Sequence, residues 1–219
     1  MPPVIEAVLF DLDGTLADTA PDLGAALNRL LIENRRPIVT LDSARRFASS
    51  GARGLIQAGF GITPEHPDYA ALQVRFLDLY EMAVCVDTRL FPGMADLLDQ
   101  IESRPMAWGI VTNKASRFTD PLVAALGVEK RAACVVSGDT TPRLKPSPDS
   151  LLYAAQCIGT DPQNCLYVGD DLRDIQAARA AGMPVLAATY GYLGDGEHPE
   201  KWGADALIAS PMEILNYLG

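Results

Sequence analysis

The chain has 219 residues, 48% of them hydrophobic, which is enough for a full core without disulfide or metal staples. Its 28 acidic residues against 18 basic ones give a formal net charge of -10, which excludes a general nucleic-acid binder because phosphate-backbone binding needs clustered Lys and Arg. Four cysteines (Cys85, Cys134, Cys157 and Cys165) lie scattered without CxxC spacing, so neither a disulfide framework nor a zinc site is expected. The opening MPPVIEAVLFDLDG lacks a basic segment, and its apolar run stops at two aspartates. A cytoplasmic protein with no membrane association is the expectation.

In chain order, VIEAVLF at 4–10 reads as a buried strand that ends on DLDGT. From about 17 to 88 the pattern is helical: DLGAALNRLLIEN and YAALQVRFLDLYEMA repeat apolar residues every three or four positions, with no strand between them. The chain then re-enters near RLFPG at 89–93. Helices at 93–103, 116–126, 148–158 and 172–181 alternate with strands at 106–112, 133–137, 165–169 and 184–189. That alternation implies an α/β fold: a Rossmann-like parallel sheet with helices on both faces and an inserted helical unit. The expected division is residues 1–16 and 89–219 for the sheet-bearing core and 17–88 for the helical insertion.

Polar residues cluster where these strands end. Asp11 and Asp13 follow the first; Thr112 and Asn113 end GIVTNK; Lys145 stands in RLKPSPD; Asp170, Asp171 and Asp174 follow CLYVG. Ligands of open parallel sheets bind outside the carboxyl ends of the strands, so these groups can meet in one crevice. Each alone has a bland explanation: a turn, a helix cap, a solvated lysine. A calcium loop fails, since its sixth position would be Leu16 and its twelfth Asp22. Crowded carboxylates call for a cation, and a hard divalent ion of magnesium type takes carboxylate and phosphate oxygens. One carboxylate can then attack phosphorus while another transfers the proton, with Thr112 and Lys145 holding phosphoryl oxygens.

DLDGTLAD, VTNK, LKPSPD and VGDDLRDI, in this order, resemble the four motifs of the haloacid dehalogenase superfamily. The resemblance implies a Mg2+-dependent phosphatase with Asp11 as nucleophile, forming an aspartyl-phosphate, and Asp13 as general acid and base. It implies magnesium on the Asp11 carboxylate, the Asp13 backbone carbonyl and Asp170, supported by Asp171 or Asp174. Gly14, Thr112, Asn113 and Lys145 would hold phosphate. Asp13 favours phosphoryl transfer, because the dehalogenases of the superfamily lack that second aspartate. The helical insertion resembles the cap of the phosphoglycolate phosphatase group, with hinges expected at 16–19 and 87–92. SSGARGL at 49–55 lies where that group places its specificity loop, so Ser50, Gly51 and Arg53 are candidates to read the substrate.

SSGAR, WGIVTNK, GDDLRDI and YGYLGDGEHPEKWGAD are also similar to bacterial N-acetylmuramic acid 6-phosphate phosphatases; Trp202 within the last is read as a packing residue. The expected partner is a small phosphate ester carrying a carboxylate, with the chain a monomer or homodimer. A sugar phosphomutase of the same fold and a catalytically silent binding protein are the alternatives.

Overall fold

The computed structural model describes residues 4–193 and 196–219. Strand β1 (Ala7–Phe10) leads through a two-residue β2 (Ala17–Asp18) into four helices: α1 (Ala20–Glu33), α2 (Leu41–Ala48), α3 (Gly51–Phe60) and α4 (Tyr69–Glu81). After β3 (Arg89–Leu90) come α5 (Met94–Glu102), β4 (Ala107–Val111), α6 (Ser116–Ala125), β5 (Cys134–Val136), α7 (Asp149–Ile158) and β6 (Cys165–Gly169). Then come α8 (Leu172–Ala181), β7 (Val185–Ala188) and β8 (Ala206–Ile208), and the chain finishes in a 3-10 helix at Pro211–Tyr217. Among the described residues no helix is long and apolar enough to cross a membrane.

Six strands form one parallel sheet in the order β5-β4-β1-β6-β7-β8. β1 lies inside it, with Ala7 opposite both Ala107 and Cys165. Both faces are covered, so β1, β6 and β7 are apolar throughout and buried throughout. Alternate side chains of β1 feed two cores: Val8 and Phe10 join Trp108, Ile110, Leu166 and Val168 on one face, while Ala7 and Leu9 join Val111, Cys165 and Tyr167 on the other. Trp202 belongs to the second core, 8% exposed, and its indole N–H donates to the Glu197 carbonyl at 2.6 Å.

β8 lies beyond the strands expected from the sequence. With three residues and an exposed Leu207, this edge strand carries too short a pattern to register. The β2–β3 ribbon is shorter still, pairing Ala17 with Leu90 and Asp18 with Arg89 where the chain leaves for the four helices and returns. The return is pinned by Asp22 of α1. Its buried carboxylate accepts from the backbone N–H of Val86, Asp87 and Thr88 and from the Thr88 hydroxyl, at 2.7 to 3.1 Å.

Candidate active site

β1, β4 and β6 are neighbours in the sheet, so the residues that follow them converge. Asp11 follows Phe10, Thr112 follows Val111 and Asp170 follows Gly169. Asp174, in the first turn of α8, completes the group: one carboxylate oxygen from each of Asp11, Asp170 and Asp174 lies within 4.8 Å of the others.

Among the described residues, the cation paired with this cluster is Lys145. Lys145 Nζ, with its side chain 3% exposed, sits 2.9 Å from Asp11 Oδ1 and 2.7 Å from Asp174 Oδ1. The same ammonium donates to the Val111 carbonyl at 2.9 Å and the Tyr167 hydroxyl at 2.8 Å. Burial alone would lower the Lys145 pKa, but the two aspartates outweigh it and the net direction is up. Burial pushes Asp11 up to about 7; Lys145 pulls it down, while Asp174 and Asp13 add to the rise. Burial, reinforced by Asp11 and Asp174, also holds Asp170 well above the ordinary carboxylate range. Among the described residues, three carboxylates gathered here with one ammonium, paired to two of them, leave excess negative charge. All three present oxygen, so the donor set fits a hard divalent cation.

The local backbone is shaped around Asp170. Thr15 Oγ1 donates to its Oδ1 at 2.8 Å and the Tyr192 N–H to its Oδ2 at 2.8 Å. Gly14 stands at φ 84°, and a Cβ there would overlap the Asp170 carboxylate. Gly14, expected to hold phosphate, thus lies directly against this carboxylate.

Asp11 Oδ1 also accepts from the Leu12 N–H at 2.8 Å, so its donors all meet one oxygen and, among the described residues, Oδ2 carries none. Asp13 is arranged likewise: Lys114 Nζ at 2.7 Å and Thr19 Oγ1 at 2.5 Å both reach its Oδ1. Thr112 is buried and accepts from the Lys114 N–H at 3.1 Å, which leaves its hydroxyl proton for an acceptor in the crevice.

Two expected roles look different in three dimensions. Asn113, expected to bind phosphate, lines the cavity over this cluster, and its side-chain amide also clasps the Lys145 backbone, donating to the carbonyl at 3.0 Å and accepting from the N–H at 2.9 Å. It positions the lysine. Asp171, a candidate support for the metal, is absent from the carboxylate cluster. It caps α8, accepting from the Arg173 N–H at 2.8 Å and from the Ser49 hydroxyl. Although burial would raise Asp171, Arg173 and Ser49 hold it below its usual range.

A cavity of about 470 Å3 opens over Asp11, Asp13, Thr112, Lys145, Asp170 and Asp174. The turn between α2 and α3 and the start of α3 form part of its wall through Ser50, Gly51 and Arg53. SSGARGL is therefore only partly a loop: Gly51 opens α3 and Arg53 lies in its first turn, exposed. Arg173 Nη2 donates to the Ser49 carbonyl at 2.6 Å, tying this turn to the start of α8.

Lys114, Tyr167, Arg173 and the face of α4 were not singled out in the sequence. Lys114 stands in VTNK, so the signal was present; Tyr167 and α4 were hidden in patterns that read as core.

A profile of the family described as haloacid dehalogenase-like hydrolase matches residues 8–188. The chain is 41% identical over 210 residues to an N-acetylmuramic acid 6-phosphate phosphatase of Pseudomonas putida, covering 96% of this chain and 94% of that one. It is 43% identical over 212 residues to a phosphoglycolate phosphatase of Xanthomonas campestris pv. campestris, covering 95% and 94%. A crystal structure of a predicted phosphoglycolate phosphatase from Haemophilus somnus 129PT superposes with a TM-score of 0.86 at 26% identity, covering 98% of each chain.

Proposed function

The chain belongs to the haloacid dehalogenase-like hydrolases, and from that premise we propose that it is a Mg2+-dependent phosphomonoesterase for a small phosphorylated metabolite bearing a carboxylate. The observation that carries this reading is the cluster of Asp11, Asp170 and Asp174, with Lys145 paired to the first and third, on the floor of a cavity that Asp13 also lines.

In this mechanism Asp11 Oδ2 attacks phosphorus, giving an aspartyl-phosphate, while Oδ1 stays anchored by Leu12 and Lys145. Asp13 Oδ2 protonates the leaving oxygen and later takes a proton from the attacking water; Lys114 and Thr19 hold the other oxygen and so fix the carboxyl. Thr112 and Lys145 balance charge on the phosphoryl oxygens. Magnesium would be held by the carboxylates of Asp11 and Asp170 and the Asp13 carbonyl, with Asp174 in support, and would supply charge screening between Asp11 and an incoming phosphate dianion. The α1–α4 unit acts as a cap that limits water in the cavity. Arg53 supplies positive charge at the cavity wall for the substrate's acid group.

The test is Mg2+-dependent phosphate release from 2-phosphoglycolate and from N-acetylmuramic acid 6-phosphate, side by side. A hundredfold preference in kcat/KM, about 2.7 kcal/mol, assigns the substrate. Consumption of a phosphosugar without phosphate release would overturn the reading in favour of a mutase, and inertness on all esters would leave a binding protein. Asp170→Asn is expected to raise the magnesium concentration needed for half-maximal activity by at least about tenfold. An unchanged magnesium titration would remove Asp170 from the metal shell.

A further inference from the structure

The α4 helix presents Gln73, Phe76, Leu77 and Tyr80 to the cavity, the spacing of one helical face. Tyr80 is 2% exposed, and its hydroxyl has no hydrogen-bond partner among the described residues. Beside it stands Lys114, its side chain 8% exposed, with Nζ 4.9 Å from the centre of the Tyr80 ring. An ammonium has three donors and no acceptor: among the described residues Lys114 Nζ donates to Asp13 Oδ1 and faces the Tyr80 hydroxyl oxygen, so it can take nothing from the phenol O–H.

A buried donor without an acceptor is destabilising, so a phenol whose proton has no acceptor, held beside an ammonium in a cavity wall, marks a place where a ligand brings oxygen. Burial pushes the Tyr80 phenol up to about 12, which keeps it a donor. The location narrows the ligand further. Lys114 also grips Asp13, the proposed acid for the leaving oxygen, so an oxygen bound here lies on the leaving-group side of the ester.

We propose that Tyr80 and Lys114 form the subsite for an oxygen acceptor on the leaving group, close to the carbon that bears the phosphate. That acceptor is the carboxylate of a two-carbon acid or a hydroxyl or ring oxygen of a phosphosugar. Tyr80 is then a specificity-determining residue from the helical unit, and the inference rests on the phosphomonoesterase reading.

The experiment compares wild type with Tyr80→Phe on 2-phosphoglycolate, N-acetylmuramic acid 6-phosphate and p-nitrophenyl phosphate, whose leaving group has no oxygen next to the ester carbon. In the variant, the ratio of kcat/KM for the preferred oxygenated ester to that for p-nitrophenyl phosphate is expected to fall by about tenfold or more. The loss should lie mainly in KM, because the contact is to an oxygen that does not react. Which ester shows it identifies the acceptor's source. An equal loss on all esters, or none, overturns the subsite while leaving the phosphatase reading intact. A wild type inert on all three overturns that reading and the subsite with it. The melting temperature of Tyr80→Phe should be unchanged or higher; a fall of several degrees would mean the hydroxyl is satisfied within the fold, and would also overturn the proposal.

Discussion

Asp11→Asn is expected to lower kcat for phosphate release by at least about 10⁴-fold while leaving the melting temperature unchanged or slightly raised. The two halves of this expectation come from different oxygens of one side chain. Oδ1 is occupied by the Leu12 N–H at 2.8 Å and by Lys145 at 2.9 Å, and the carbonyl oxygen of an asparagine can accept both. Oδ2, the proposed nucleophile, becomes an amide nitrogen that has no electron pair to offer phosphorus. The stability half follows from charge. Asp11 and Asp174 share the Lys145 ammonium with Asp170 close by, and burial has already pushed Asp11 up to about 7. Removing one carboxylate relieves that repulsion in the metal-free protein. Steady-state phosphate release and a thermal melt check both halves. Turnover like that of the wild type would sink the nucleophile assignment, and a melting point several degrees lower would make Asp11 a structural anchor instead.

The parts of this molecule that were legible in advance share a physical cause. β1 and β6 are buried on both faces and so appear as unbroken apolar runs. The polar residues closing such runs are forced to the carboxyl edge of the sheet, and this is why the sequence alone brings Asp11, Thr112 and Asp170 together. Where side chains turn was harder to foresee. Asp171 and Asp174 are equally acidic in sequence, yet at the N-cap the first turns outward to Ser49 and Arg173. Asp174 folds back, accepting from the Asp171 N–H at 3.1 Å, and reaches Lys145. Asn113 is another case, since nothing local indicates that its amide clasps a backbone 32 residues away. The α4 face was opaque for a different reason: Phe76, Leu77 and Tyr80 at helical spacing look the same whether they cover a core or line a cavity. The Tyr80 hydroxyl, whose proton has no acceptor among the described residues, distinguishes the two.

Lys145→Met is expected to destabilise the metal-free protein by about 3–5 kcal/mol, the usual cost of removing one partner from a buried charge set. For a chain of this size that corresponds to a fall in melting temperature on the order of 10 °C. Methionine fills much of the same volume, so lost packing contributes little and the loss is electrostatic. It should therefore depend on pH, and its sign can be worked out. Asp11 and Asp170 have folded pKa values raised above the ordinary value, by burial first and by neighbouring carboxylates second. The folded state thus holds more protons than the unfolded state, and stability falls as pH rises from the ordinary carboxylate range through about 7, the folded value for Asp11. Lys145 pulls Asp11 down, so without the ammonium the Asp11 value climbs further and the fall continues to higher pH. The gap between wild type and Lys145→Met should accordingly be narrow near pH 5 and wide near pH 8. Magnesium, binding the folded carboxylates alone, should narrow it again at pH 8 by mass action. Melting curves at the two pH values, with and without magnesium, test each step. A gap that stays constant with pH would mean Lys145 stabilises the fold through the Val111 carbonyl and the Tyr167 hydroxyl, not through the carboxylates. A gap that magnesium leaves untouched would mean that the cation does not enter the cluster Lys145 neutralises.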